Sequence, residues 1–196
     1  CRLDDKEKGN HVEAWKELEP LFEKELIRSE DNNLEFITLT ANCLPNFLYL
    51  NRDWILNNLG RIFLFENRKR WLCAMQGYAY VNAVYADIYQ YMKKEGHFLA
   101  SLNADDLNRE AKKKVLQNIV VAYINGDETL EDNSSLINML IDRWNVEELK
   151  EIIWFIWTLR NREEDFCKKI QSLWSELSKR ITGKEEEDKS ILSSLC

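Results

Sequence analysis

Apolar side chains recur at intervals of three and four residues along most of this chain, which is the spacing that places them on one face of an α-helix. In residues 11–29 the stripe consists of Trp15, Leu18, Phe22 and Leu26. The 196 residues include only 6 glycines and 2 prolines, where average usage would give roughly 14 and 10. Sheets with many tight turns need those residues, whereas long helices with short connections do not. The pattern therefore predicts an all-α protein.

The same pattern predicts eight or nine helices, with breaks at particular residues. Pro20 is expected to break or kink the first helix, or to lie near the start of one. Pro45 is expected to kink or end an apolar helix over residues 34–50. Residues 68–94 read as one long helical region, which ends at Gly96 because glycine accepts the left-handed conformation of a helix C-terminus.

Short polar side chains mark the expected helix starts. Asn51 or Asp53 is predicted to cap the helix that follows, and Asp105 or Asp106 the helix that runs on to residue 123. Asn145 is predicted to cap the helix that contains residues 151–161, because a glutamate follows three residues later.

Two packing plans suit such helices: stacked antiparallel pairs, as in a HEAT-like α-solenoid, or an irregular helical bundle. No clean internal repeat is visible, although HEAT repeats often diverge this far. The expected organisation is a charged N-terminal segment at 1–10, a helical-repeat domain at 11–182 and a charged tail at 183–196.

The segment "EIIWFIWTLRN" at 151–161 is the most apolar in the chain. It is too short to span a bilayer, which needs about 20 apolar residues. On a helical wheel one side carries Ile152, Phe155, Ile156 and Leu159, and another carries Ile153 and Trp157. A helix that is apolar nearly all round has neighbours on both sides. We therefore expect a core helix, with a tryptophan-lined binding site as the alternative.

Charge and cysteine content limit the possible partners and compartments. The net charge is -7, its acidic excess lies in residues 1–50 and 183–196, and no region is basic overall. The five cysteines are irregularly spaced, and no Cys-x-x-Cys pair suggests a zinc site or a disulfide framework. The first ten residues are charged and do not resemble a signal peptide. We expect a cytoplasmic protein with no membrane partner, and the chain reads as a fragment of a larger protein.

Two basic clusters near aromatic residues resemble contacts to a nucleic-acid backbone. The alternative, which we favour because the bulk charge is acidic, is a solvated helix face paired with acids such as Glu66 and Glu110. The candidate nucleic-acid contacts are Arg68, Lys69, Arg70, Arg109, Lys112, Lys113 and Lys114.

Catalytic and metal-binding patterns are scarce. The only histidines are His11 and His97. "HVE" at 11–13 lacks the Pro-Cys-x-x-Cys partner of a zinc deaminase, and His97 reads as a loop or core histidine. Clusters of acids at 105–106, 147–151 and 163–165 lie at predicted helix starts, where the helix dipole favours carboxylates. No cofactor, metal or catalytic residue is predicted. An effector or enzyme with an unrecognised carboxylate site is the alternative.

An alternation of apolar and aromatic positions over roughly 50–175 resembles a known class of proteins. Its markers are Trp54, then Trp71 with Gly77 and Tyr78, Ala122-Tyr123 before Gly126-Asp127, and Trp157 before Leu159-Arg160. They resemble the C-terminal helical-repeat regions of large bacterial STAND and NACHT-like NTP-dependent defence proteins. The resemblance implies a non-catalytic HEAT-like recognition or scaffold region that senses a ligand or holds the protein autoinhibited. Its partner would be another protein or the remainder of a larger parent chain.

Overall fold

The computed structural model describes residues 10–29, 33–81, 83–159 and 164–181. Within these ranges eleven α-helices and no strand are found, so the predicted all-α class is confirmed. The structure does not describe the segment 1–9, residue 163 or the tail 183–196. The side chains of His11 and of residues 164 and 165 in the acidic cluster are not described either. The helices are α1 (Asn10–Arg28), α2 (Leu34–Asn42), α3 (Leu44–Leu50), α4 (Arg52–Ile62), α5 (Arg68–Ala79), α6 (Ala86–Lys94), α7 (His97–Asn103), α8 (Arg109–Asn125), α9 (Leu136–Arg143), α10 (Val146–Thr158) and α11 (Glu164–Ile181).

The chain forms two compact units, Cys1–Lys112 and Lys113–Cys196, and the division falls inside α8. The prediction of one helical domain over 11–182 does not include this division. Each unit has its own buried apolar residues, as the size of an ordinary helical core requires.

An aromatic cluster joins α1 to α3 and α4 in the first unit. Trp15 stacks on Phe22 with ring centroids 5.6 Å apart, and both rings meet Phe47 and Trp54. Burial of such rings contributes the largest apolar areas in a core. Helix α1 passes without a break through Pro20, which is exposed. The expected break is therefore absent, since α1 is held by its aromatic face on both sides of the proline.

Helices α2 and α5 of the first unit approach each other closely at Gly77. Gly77 faces the backbone of Thr38, and a Cβ atom built on Gly77 would overlap the carbonyl oxygen of Thr38. The carbonyl oxygen of Gly77 also accepts a hydrogen bond from Nδ2 of Asn42 at 3.3 Å. Only glycine permits this approach, because any side chain would have to displace a neighbouring backbone.

The prediction that residues 68–94 form one long helical region is wrong, because two helices lie in this range. Helix α5 ends at Ala79, where Tyr80 and Val81 donate to the carbonyls of Gly77 and Tyr78 at 3.2 and 2.9 Å. Val81 is buried and anchors the turn. The segment 81–85 contains two valines and an asparagine, which have low helix propensity. Residues 81 and 83–85 are not helical, and α6 begins at Ala86.

The observed caps agree with two of the three predictions. Oδ1 of Asn51 accepts from the backbone N–H of Trp54 at 3.0 Å, and Oδ1 of Asn145 accepts from two N–H groups of the first turn of α10 at 3.1 and 3.2 Å. Asp105 and Asp106 do not cap α8. Its cap is Asn108, whose side chain accepts from the N–H of Ala111 at 2.7 Å.

Gly96 ends α6 in the left-handed conformation with φ 78°, as predicted. Pro45 lies in the first turn of α3 after α2 has ended at Asn42, so the predicted early end is confirmed. The short helix α7, which begins directly after Gly96, is missed by the sequence pattern because seven residues are too few to show a period.

In the second unit Lys169 and Tyr123 join α11 to the C-terminus of α8. Nζ of Lys169 donates to the carbonyl oxygens of Tyr123 and Ile124 at 2.9 and 2.8 Å. The hydroxyl of Tyr123 donates in return to the carbonyl oxygen of Lys169 at 2.8 Å. A cation at the last carbonyls of a helix offsets the negative end of its dipole.

Substitution of Lys169 by methionine is expected to lower the free energy of unfolding by about 1–3 kcal/mol, because two carbonyl oxygens lose a charged donor. Urea unfolding followed by circular dichroism measures this change. Lys168→Met is the matched control, since Lys168 is exposed one position earlier on the same helix, and it is expected to change stability by less than about 0.5 kcal/mol. Equal effects of the two substitutions would contradict the role of Lys169.

A buried carboxylate positions the start of α9. Glu128 is 2% exposed, and its Oε2 accepts from the backbone N–H of Leu136 at 2.5 Å. Ser135, at the cap position, makes no side-chain cap hydrogen bond. Glu128 lies eight residues before Leu136, whereas a capping motif relates residues that are only three apart.

Candidate interaction surface

Helix α10 begins at a strained turn. Trp144, between α9 and α10, adopts the left-handed conformation with φ 51°, which costs a residue with a side chain roughly 1–2 kcal/mol. Its side chain is buried, and burial of an indole is large enough to hold the residue in this conformation. Asn145 then caps the first turn of α10. Trp144 and Asn145 together set where α10 starts and which way its faces point.

Two faces of α10 have opposite character. Leu149, Ile152, Ile153 and Ile156 are each at most 2% exposed. Trp154 and Trp157 lie outside this buried stripe and are each 57% exposed. The expectation of a helix buried all round is therefore wrong for these tryptophans, because the apolar neighbours of α10 cover only one side. Two exposed indoles one helical turn apart form what we call the tryptophan turn, residues Trp154 and Trp157.

Ion pairs neutralise the charged residues that precede the tryptophan turn on α10. Nζ of Lys150 lies 4.0 Å from Oε1 of Glu147, and Nζ of Lys113 lies 3.3 Å from Oε2 of Glu151. Arg143 pairs with Glu148 at 2.5 Å. The acidic cluster at 147–151 thus lies among basic partners. Its backbone occupies the first turns of α10, where carboxylates are favoured.

The first basic cluster does not form a continuous basic surface. Arg68 pairs with Asp106, whose Oδ2 accepts from Nε of Arg68 at 3.0 Å, and its guanidinium lies 4.6 Å from the ring centre of Trp71. This hydrogen bond lowers the pKa of Asp106 and raises that of Arg68. Arg70 is 0% exposed. As a buried side chain Arg70 is not accessible to a nucleic acid, whereas Lys69 is exposed and remains a candidate contact.

The second basic cluster is divided between the two units. Arg109 and Lys112 belong to the first, and Lys113 and Lys114 to the second. Arg109 is exposed and the three lysines are partly buried, and Lys113 already pairs with Glu151. The structure does not bring the seven predicted contacts together on one unit.

His97 is a core residue. It is 1% exposed, its Nδ1 accepts from Nε1 of Trp71 at 3.1 Å, and the ring of Phe65 stacks on it at 4.3 Å. Because Nδ1 accepts, the proton is on Nε2, which has no hydrogen-bond partner. Burial lowers the pKa of His97 to about 4, so the ring is neutral near pH 7. The prediction of a core histidine is confirmed, with only one of its nitrogens satisfied.

A polar groove runs along α11 in the second unit. Its volume is about 610 Å³, and it is lined by Leu130, Glu131, Lys168, Gln171, Ser172, Ser175, Glu176 and Lys179. Two acids and two bases share the lining, and Glu176 is already bonded to Arg180 at 2.9 Å, which lowers its pKa. The groove has no apolar wall of the kind that small-molecule sites use.

Metal-binding chemistry is equally limited in the part of the chain that the structure describes. No group of three or more His, Cys, Asp or Glu side chains there could hold a metal ion. Cys43, Cys73 and Cys167 are free thiols. None of the described helices is long and apolar enough to cross a membrane.

Among known proteins, the chain matches no protein-family model, no curated protein and no solved structure. A tryptophan-lined binding site was only the alternative expectation for α10. Its signal was the three-residue spacing of Trp154 and Trp157, which places both rings on one side of a helix.

Proposed function

We propose that this chain is a non-catalytic helical recognition domain that binds a protein partner through the tryptophan turn of α10. The observation that carries the proposal is the 57% exposure of both indoles on a helix whose leucine and isoleucines are buried. Burying a large apolar side chain contributes about 1.5–3 kcal/mol, and tryptophan is enriched among the residues that dominate binding energy at interfaces.

The sequence resemblance over residues 50–175 supports the proposal that this domain is part of a larger protein. We propose a HEAT-like region that acts as the sensor or autoinhibitory part of a bacterial antiphage defence protein, with the NTPase elsewhere in that protein. The free thiols of Cys43, Cys73 and Cys167 support a reducing, cytoplasmic compartment.

Replacement of both tryptophans by serine is expected to weaken capture of the partner at least about tenfold. The measurement is a quantitative pull-down with the chain as bait, using lysates of the source organism with and without phage infection. Because both rings are exposed, the double variant should keep its circular dichroism spectrum and its thermal midpoint.

Leu21→Ser with Leu39→Ser provides the matched control. These leucines are 58% and 63% exposed and lie on α1 and α2, in the other unit. The control variant should capture the partner as the wild type does. Equal capture by the tryptophan variant would contradict the proposal. Nucleic acid that co-purifies and dissociates steeply with salt would favour the basic residues instead.

A further inference from the structure

We propose that the Asn125–Gly126 peptide at the C-terminus of α8 is a site of spontaneous deamidation, which the contact with Lys169 of α11 protects. Asparagine is a thermolabile residue, and Asn125–Gly126 is the only Asn-Gly pair in the sequence. Both residues are exposed. A glycine after asparagine has no Cβ to hinder attack by its backbone nitrogen, so Asn125 is the asparagine of this chain with the least hindered neighbour.

Deamidation of this pair starts with loss of the proton from the backbone nitrogen of Gly126. That nitrogen attacks Cγ of Asn125, a C–N bond forms, and the side-chain amide nitrogen leaves as ammonia. The product is a five-membered succinimide. Water then adds to one of its two carbonyl carbons, and the ring C–N bond at that carbon breaks. One opening gives aspartate, and the other gives isoaspartate, in which the main chain passes through the former side chain.

The folded C-terminus of α8 holds the nitrogen of Gly126 away from this reaction. The N–H of Gly126 donates to the carbonyl oxygens of Ala122 and Tyr123 at 3.0 and 3.2 Å, and Gly126 adopts the left-handed conformation with φ 94°. Ring closure requires Asn125 to leave the helical backbone conformation, and that movement breaks both hydrogen bonds. The reaction therefore proceeds only in molecules in which this helix end has opened, at a rate proportional to their population.

Lys169 makes this opening less frequent, because it binds one of the two carbonyl groups that hold Gly126. Nζ of Lys169 donates to the carbonyl oxygens of Tyr123 and Ile124, and the hydroxyl of Tyr123 donates to the carbonyl oxygen of Lys169. A Cβ built on Gly126 would lie 3.6 Å from Nζ, so the ammonium group lies directly beside the reactive peptide. Charge-assisted hydrogen bonds of this kind are stronger than neutral ones, and opening of the helix end must break them.

The ammonium group of Lys169 has a second effect of opposite sign. A positive charge beside the peptide favours the nitrogen anion of Gly126 and so would accelerate the attack. The charge is beside the peptide only while the helix end is closed, when the N–H of Gly126 is bonded to two carbonyl oxygens. In the opened molecules that react, Lys169 has released its carbonyls. Protection by Lys169 therefore outweighs acceleration.

Deamidation is expected to weaken the contact between α8 and α11. Both products place a carboxylate at the C-terminus of α8, where the helix dipole disfavours negative charge. Isoaspartate also lengthens the main chain by one atom, which displaces the N–H of Gly126 from its acceptors. The modified fraction, separated from the unmodified chain by anion exchange, should therefore unfold at a lower temperature.

The test is incubation of the full chain in warm, mildly alkaline buffer, followed by peptide mass spectrometry and enzymatic methylation of isoaspartate. We expect deamidation of Asn125 to be at least about fivefold faster in Lys169→Met than in the wild type. The matched control Lys168→Met should leave the rate unchanged. Wild-type chain unfolded in guanidinium should deamidate at least about tenfold faster than the folded chain.

A second variant and an internal reference separate local opening from loss of the fold. Tyr123→Phe keeps the ring and removes only the hydroxyl that bonds Lys169, and it should accelerate deamidation about twofold or more. Asn133, which precedes Ser134 in an exposed turn, is the internal reference in the same unit. Its rate should be the same in the wild type and in both variants.

Four results would overturn the proposal. Absence of deamidation at Asn125 in the unfolded chain would show that the pair is not a site, and equal rates in the folded and unfolded wild type would show that the helix end does not protect it. A wild-type rate in both Lys169→Met and Tyr123→Phe would reject the role of Lys169. Equal acceleration at Asn133 would assign the effect to global unfolding and would reject that role too.

Discussion

Replacement of Gly77 by alanine is expected to lower the free energy of unfolding by at least about 3 kcal/mol, the upper end of what overpacking costs. The added Cβ would overlap the carbonyl oxygen of Thr38 and lie 3.0 Å from its carbonyl carbon and 3.2 Å from Cβ of Ala41. The atoms of Thr38 belong to the backbone of α2, so relief requires α2 and α5 to separate. The gain in helix propensity from glycine to alanine, about 1 kcal/mol, opposes this loss and is smaller.

Gly60→Ala is the matched control, because it makes the same chemical change in a helix with the opposite expected sign. The nearest atom to a Cβ on Gly60 is the hydroxyl oxygen of Tyr91 at 3.5 Å, an ordinary contact, and Gly60 is exposed. We expect a gain in stability of up to about 1 kcal/mol. Urea unfolding of both variants measures the difference. A neutral or stabilising Gly77→Ala would show that α2 and α5 are not in backbone contact.

Acidification is expected to destabilise the first unit through His97, by up to about 3 kcal/mol between pH 6.5 and pH 4. Burial lowers the pKa of His97 from 6.5 to about 4. The unfolded chain therefore binds a proton below pH 6.5 that the folded chain refuses until about pH 4. Stability from the neutral ring is present above pH 6.5 and is lost as the pH falls through this window.

The hydrogen bond to Trp71 explains why the folded state resists protonation. Nδ1 of His97 accepts from Nε1 of Trp71 at 3.1 Å, and a proton on Nδ1 would set two donors against each other. Protonation therefore removes this bond and adds a buried charge. The free energy of unfolding, measured in urea at several pH values from 7 to 4, should fall steadily for the wild type.

His97→Gln isolates this effect, since its amide oxygen can accept from Trp71 but does not titrate. The variant is expected to show a flat pH dependence between about pH 6.5 and 5, above the range in which carboxylates titrate. His11→Gln serves as the second variant, because His11 is the other histidine in the chain. A slope that survives His97→Gln and disappears with His11→Gln would contradict the assignment.

Local interactions made much of the fold predictable. The stripe from Trp15 to Leu26 lies on one helix, and the caps Asn51 and Asn145 act within three residues of their own positions. Gly96 ends α6 because its φ of 78° is accessible to glycine at little cost. Each of these features depends on a single residue or on spacings of three or four residues along the chain, so the sequence contains all the participants.

The predictions that failed involve residues whose partners are distant in the chain. Asp106 looked like a cap, but it pairs with Arg68, 38 residues away. Arg70 looked like a surface cation, but it is buried. The cap of α9 is Glu128, eight residues before Leu136. A local sequence pattern assigns a polar residue to solvent or to the nearest helix end. It carries no information about a distant residue that binds or buries the same side chain.

The division between sequence and tertiary structure is clearest in α10. The sequence alone determined that residues 151–161 belong to an apolar helix capped by Asn145, since the cap and the periodicity are properties of neighbouring residues. It also placed Trp154 and Trp157 one turn apart. Only the tertiary structure decided that the isoleucines are buried and the tryptophans exposed. Apolar residues on both sides of a helix satisfy the same local rules, and which side is covered depends on helices from elsewhere in the chain.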